Sequence, residues 1–109
     1  MDENELPSMT AEAALDAADL VLVDVRRRAA RLADGRALVG VPWHDPENLQ
    51  MAELPAGARL AFVCVWGHQV GQYAAAFARF HGREAVFVKG GFHGLVAAGA
   101  ATETIGEPA

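Results

Sequence analysis

Leu60-Ala61-Phe62-Val63-Cys64-Val65-Trp66-Gly67-His68-Gln69 is the stretch on which the reading of this chain turns. Its first half is an unbroken apolar run, the pattern of a strand buried on both faces. Val65-Trp66-Gly67-His68 then reads as a tight turn, and Gln69 to Phe80 as an amphipathic helix. The apolar side of that helix includes Val70, Tyr73, Phe77 and Phe80, which the pattern points at the core. His81-Gly82 supplies a C-terminal stop. Cys64 thus falls at the carboxyl end of a strand, just before a loop and a helix start. In open α/β sheets that end is where ligands bind.

Working outward, similar units flank this one. Ser8 to Asp19 reads as a helix, capped at Ser8 or Thr10. Leu20-Val21-Leu22-Val23 is a second buried strand, running into Asp24-Val25-Arg26. Arg26 to Ala33 reads as a short helix stopped by Asp34-Gly35, and Ala37-Leu38-Val39 as a brief strand. Pro46 to Ala52 is read as another short helix. Beyond the central helix, Ala85-Val86-Phe87-Val88 is a buried strand, followed by Gly90-Gly91 and a last helix from Phe92 to Ala98. The small and polar tail from Gly99 to Ala109 is expected to fray. Strands alternating with helices specify an α/β domain with a mainly parallel sheet.

Bulk properties narrow the class. With 109 residues, 52% of them hydrophobic, the chain suits one domain with a single packed core. A net charge of −5 argues against nucleic acid or an anionic membrane as partner. No apolar run approaches the roughly 18 residues of a membrane span. The start, Met1-Asp2-Glu3-Asn4-Glu5, is acidic, unlike the basic start of a signal peptide. One cysteine cannot close an internal disulfide, and no Cys/His spacing resembles a zinc site. A soluble, reduced, cytoplasmic protein with no metal or organic cofactor is the expectation.

The chemistry centres on Cys64. Loop N–H groups and a helix N-terminus beside it favour the anionic, nucleophilic form of sulfur and hold a bound anion. Gly67 suits a turn this tight. A phosphate-binding P-loop is absent, because no G-x-x-x-x-G-K-[ST] occurs. Position alone leaves two readings of Cys64 open, a reactive thiol and a small buried hydrophobe. His68 is the one loop side chain able to carry positive charge. Trp66 suits either an apolar wall for the donor or a cap on the core. Arg27 and Arg28 suit a solvated helix face, and Trp43 and His44 suit either the rim of the site or ordinary packing.

Three motifs resemble the rhodanese family of sulfurtransferases. Leu22-Val23-Asp24-Val25-Arg26 looks like the family's early strand ending in Asp-Val-Arg. Val63-Cys64-Val65-Trp66-Gly67-His68-Gln69 looks like its active-site loop, and Val88-Lys89-Gly90-Gly91-Phe92-His93-Gly94-Leu95 like its Gly-Gly segment, which usually ends in tryptophan. Trp43-His44-Asp45-Pro46 further resembles a Trp-x-Asp-Pro segment of single-domain members. The resemblance implies a three-layer α/β/α domain over residues 8–98, with a mainly parallel sheet of about five strands and short tails at 1–7 and 99–109.

It also implies a function. Cys64 would take a sulfane sulfur from thiosulfate or a persulfide, becoming a persulfide, and pass it to cyanide or a thiol. Val65, Trp66, Gly67, His68, Gln69 and Val70 would bind the substrate through loop N–H groups. Asp24 and Arg26 would be structural residues beside the site. The six-residue loop is that of the sulfurtransferases; related phosphatases use a loop one residue longer that ends in arginine. Small sulfur anions, persulfides, thiols, cyanide and a partner protein are the implied partners. A sulfur-carrier or protein-binding module with little turnover is the alternative.

Overall fold

The computed structural model describes residues 7–105. Four strands make one parallel sheet in the order β1-β5-β4-β2: β1 (Ser8–Met9), β2 (Leu20–Asp24), β4 (Arg59–Val63) and β5 (Ala85–Val88). β3 (Arg36–Leu38) and β6 (Thr102–Thr104) form a separate antiparallel pair. The helices are α1 (Ala11–Asp16), α2 (Arg28–Asp34), α3 (Gln69–Phe80) and α4 (Gly91–Ala97).

The central strand explains the layering. Along β4, Leu60 and Phe62 enter one core cluster with Ala74, Ala75 and Ala78 of α3. Ala61 and Val63 enter the other, with Ala11 and Ala14 of α1 and Phe92 and Leu95 of α4. Side chains alternate across a strand, so an unbroken apolar run serves both faces. The result is the expected α/β/α arrangement.

About five strands were expected in the sheet, and four are present. The fifth position, beyond β2, holds only a parallel bridge between Asp24 and Trp43. Asp24 N–H donates to Pro42 O at 2.9 Å and His44 N–H to Asp24 O at 2.9 Å. Pro42 itself has no N–H to continue a ladder, which limits the pairing to that bridge.

Other boundaries shift for local reasons. The first helix begins after Thr10, whose Oγ1 accepts from Ala13 N–H at 3.1 Å, while Ser8 and Met9 pair with Phe87 and Val88 as an edge strand. α2 starts at Arg28 rather than Arg26, since Arg26 turns back to bond Asp24 through both main chain and side chain. Pro46 to Ala52 is not an α-helix: it holds two 3-10 turns, Pro46–Asn48 and Met51–Glu53.

The tail is corrected more substantially. β6 pairs with β3, Val39 N–H donates to Ala101 O, and Ile105 N–H to Gly35 O, so the described part of the tail is bound rather than frayed. The brief strand expected at Ala37 therefore lies outside the parallel sheet. Residues 1–6 and 106–109 of the expected tails lie outside the described residues.

α3 keeps its expected bounds but presents a different face. Gly71, Ala74, Ala75 and Ala78 are its buried residues, at helical spacing, whereas Tyr73 is 65% and Phe80 86% exposed. Small side chains let the helix axis approach the sheet closely, which leaves the bulky aromatics outside. The expected core placement of Tyr73 and Phe80 is thus overturned, and Phe77 is only half-buried.

Between α2 and β3, Arg36 donates to Asp34 at 2.8 and 3.2 Å. That hydrogen bond holds the Asp34 carboxyl below its ordinary range. A folded-state value lowered in this way contributes stability above the unfolded carboxylate value, about 3.9, and loses it as pH falls through the folded one. Asp34→Asn is therefore expected to lower the urea midpoint at neutral pH, with the gap to wild type closing below about pH 4. A gap unchanged at acid pH would contradict the assignment.

Candidate functional site

Cys64 follows β4 directly and is 4% exposed. Its Sγ accepts the Gly67 N–H at 3.1 Å, so the loop folds back over the thiol. His68 precedes the first residue of α3 and makes no side-chain cap. Among the described residues, the N–H groups of Val65, Trp66 and His68 have no backbone acceptor. The first N–H groups of a helix also lack intrahelical partners, which adds a run of unpaired donors at the start of α3.

The loop is held from behind by the turn before α4. Phe92 N–H donates to Cys64 O at 2.7 Å and His93 N–H to Val65 O at 3.3 Å. Gly67 has φ +78, and a Cβ there would lie 2.7 Å from both Gly90 N and Val88 O. Gly91 has φ +57, and a Cβ there would strike Cys64 O and lie 2.7 Å from Gly67 N. Backbone touches backbone at this junction, and side chains at either position would force it open. Gly91→Ala is expected to destabilise the domain by about 1–3 kcal/mol, the range for a strained left-handed residue. A wild-type urea midpoint in that variant would contradict the close approach.

Gly71 is a residue that sequence reasoning missed. It reads as an ordinary helix glycine, yet a Cβ there would lie 3.2 Å from Cys64 Sγ. Alanine raises intrinsic helix propensity by about 1 kcal/mol, so Gly71→Ala is expected to fold while crowding the sulfur. Cys64 reactivity toward a small thiol-directed reagent should fall by about tenfold, the scale set by adding one methyl to a filled pocket. Wild-type reactivity would show that the sulfur has room to move.

Cys64 opens onto a cleft of about 440 Å³ lined by Arg26, Arg27, Ala30, Cys64, Val65, Trp66, His68, Gln69 and Val70. The loop residues chosen from the sequence come together here, with Gly67 buried beneath them. Arg27 and Ala30 were not anticipated, and both arrive because α2 forms the opposite wall. A second hollow of about 330 Å³ adjoins it, bounded by Arg27, Gln69, Val70 and Tyr73 among others.

Asp24 and Arg26 lie beside this cleft and are 2% and 1% exposed. Arg26 Nε and Nη2 donate to the Asp24 carboxylate at 3.0–3.2 Å, and Nη2 also reaches Arg36 O at 2.8 Å. The guanidinium lies 3.9 Å from the Phe92 ring centroid. Trp43 packs rather than lining the cleft; its Nε1 donates to Arg26 O at 2.8 Å. His44 and Lys89 also lie off the cleft wall. Trp66 is 56% exposed, but its ring is stacked on His93 with centroids 4.0 Å apart. Among the described residues no cluster of His, Cys, Asp and Glu is placed to hold a metal ion, and no helix is long and apolar enough to cross a membrane.

No family model matches the sequence, and no curated protein matches it. Solved structures do. A rhodanese-related protein from Thermoplasma volcanium is 18% identical with a TM-score of 0.76, over 89% of this chain and 97% of that one. A protein of unknown function, possible tyrosine phosphatase, from Rhodopseudomonas palustris is 22% identical with a TM-score of 0.71, over 90% and 85%. A thiosulfate sulfurtransferase from Pseudomonas aeruginosa is 21% identical with a TM-score of 0.72, over 94% of this chain and 20% of that one. The chain has the rhodanese-like fold.

Proposed function

We propose, from the rhodanese-like fold and the cleft that opens on Cys64, that this chain is a sulfurtransferase working through a Cys64 persulfide. The Cys64 thiolate attacks the outer sulfur of thiosulfate or of a persulfide. A new S–S bond forms at Sγ, and the donor's own bond to that sulfur breaks. The leaving group, sulfite or a thiolate, departs with the electron pair. Cyanide or an acceptor thiol then attacks the outer sulfur and restores the Cys64 thiolate. N–H groups from Val65 to Val70 hold the negative charge throughout.

One observation carries the reading. The only cysteine stands at the carboxyl end of the central strand, on a cleft floor, with Sγ already accepting the Gly67 N–H. A cysteine kept for packing alone needs neither the cleft nor the donor. The test is intact-protein mass spectrometry after incubation with thiosulfate or a low-molecular-weight persulfide. A gain of one sulfur is expected, reversed by cyanide and absent in Cys64→Ser. No gain from any donor would overturn the proposal.

A sulfur-carrier role with little turnover is the second reading. It is favoured by the absence of lysine and arginine from residues 65–70 and by the pairing of Arg26 with Asp24. Single loading without turnover in the presence of acceptor would select it. A phosphatase activity fits less well, because Val70 stands where an arginine would follow the loop and clamp a phosphate. A lone thiol and a net charge of −5 suit a reducing, cytoplasmic setting and a small-molecule donor or partner protein rather than nucleic acid or membrane.

A further inference from the structure

We infer that the cleft selects an organic sulfur donor whose aromatic or apolar substituent lies against the Trp66 indole, with His93 as the positioning residue that holds the ring. The inference rests on the sulfurtransferase reading and adds the class of donor to it.

Three observations support it. The cleft's volume of about 440 Å³ is that of a pocket for an organic molecule, of which a small inorganic anion fills only a part. Its walls beside Cys64 are apolar at Ala30, Val65, Trp66 and Val70. Positive charge is scarce: Arg26 is neutralised by Asp24, and Arg27 is 60% exposed with Glu47 3.8 Å away. Beyond the loop N–H groups and His68 an anion meets little free positive charge, whereas an apolar substituent meets Ala30, Val65, Trp66 and Val70.

Trp66 is the distinctive part of that wall. An indole 56% exposed would ordinarily sample several rotamers, and ordering it on binding would cost affinity. Here the ring is ordered in advance by the His93 imidazole, 4.0 Å away and tilted by 25°. The His93 main chain is anchored by its N–H bonded to Val65 O at 3.3 Å, and its ring also meets the Phe92 ring edge-on, with centroids 5.7 Å apart. A pre-set aromatic plate at the mouth of an apolar cleft favours an aromatic or aliphatic substituent over water.

The reaction balances with such a donor. With a thiosulfonate, the Cys64 thiolate attacks the terminal sulfur, the Sγ–S bond forms, and the bond between that sulfur and the sulfonyl sulfur breaks. A sulfinate leaves with the electron pair. No further oxidant or reductant is needed.

The experiment compares Cys64 persulfide formation and turnover with benzenethiosulfonate, methanethiosulfonate and thiosulfate. Wild type should favour the benzene donor over the methane donor in kcat/KM, and Trp66→Ala should reduce that ratio by about tenfold, the worth of a stacked aromatic contact, through KM. Differences in leaving-group chemistry are common to both proteins and cancel in the comparison. Trp66→Phe should keep most of the preference; His93→Phe should keep it and His93→Ala lower it, since only the former restacks the indole. A preference unchanged by Trp66→Ala, or an equal loss on both donors, would overturn the inference while leaving the sulfurtransferase reading intact. Failure of every donor to load Cys64 would overturn both.

Discussion

Cys64→Ser is expected to lower sulfane-sulfur transfer by at least about a thousandfold, the scale of losing a covalent nucleophile, with the fold retained. The hydroxyl is close in size to the thiol, and the buried position offers it a ready donor in the Gly67 N–H. Stability should therefore change little, and the urea midpoint is the control. The two quantities separate catalysis from packing. A cysteine that merely filled the core would show the opposite pattern: a lowered midpoint with activity preserved. Turnover of the serine variant at more than a small fraction of wild type would end the case for a persulfide.

The second large effect concerns the ion pair beside the cleft. Asp24→Asn is expected to destabilise the domain by about 3–5 kcal/mol, the cost of leaving one partner of a buried pair uncompensated. For a domain of this size that is a fall in Tm on the order of 15 °C. Arg26 has little solvent to turn to: it is 1% exposed and covered by the Phe92 ring. Asp24 Oδ1 also accepts the Arg26 main-chain N–H at 2.9 Å, so the same carboxylate shapes the bend that starts α2. Arg26→Gln should be costly as well, but the double variant should cost less than the two singles together, because no orphaned charge remains. Strict additivity would show that the two residues act separately. Because α2 forms one wall of the cleft, activity should fall along with stability.

What was legible in the sequence was local. The run ending at Cys64, the turn and the bounds of α3 all follow from consecutive residues, and the Asp24–Arg26 pair lies within one short motif. What was hidden was either distant or ambiguous. The pairing of Arg36–Leu38 with Thr102–Thr104 joins segments far apart in the chain; the first reads as a brief strand, but the second is too polar to announce itself. On α3, two stripes share the helical period, one through Val70, Tyr73, Phe77 and Phe80, the other through Gly71, Ala74, Ala75 and Ala78. Hydrophobicity favours the first and close packing against the sheet favours the second; periodicity cannot choose between neighbouring stripes.

The candidate site divides the same way. Loop residues 64–70 were found because they are consecutive. Arg27, Ala30, Gly71 and His93 come from other elements, or act by what they lack, and their bearing on Cys64 exists only once the layers are assembled.

The Gly67 N–H bonded to Cys64 Sγ has a consequence for observation as well as for chemistry. Any change in the valence or charge of that sulfur alters the acceptor seen by a single backbone proton. The amide resonance of Gly67 is thus expected to shift between a free, loaded or blocked sulfur, a gauge built into the loop that does not wait for a product to accumulate.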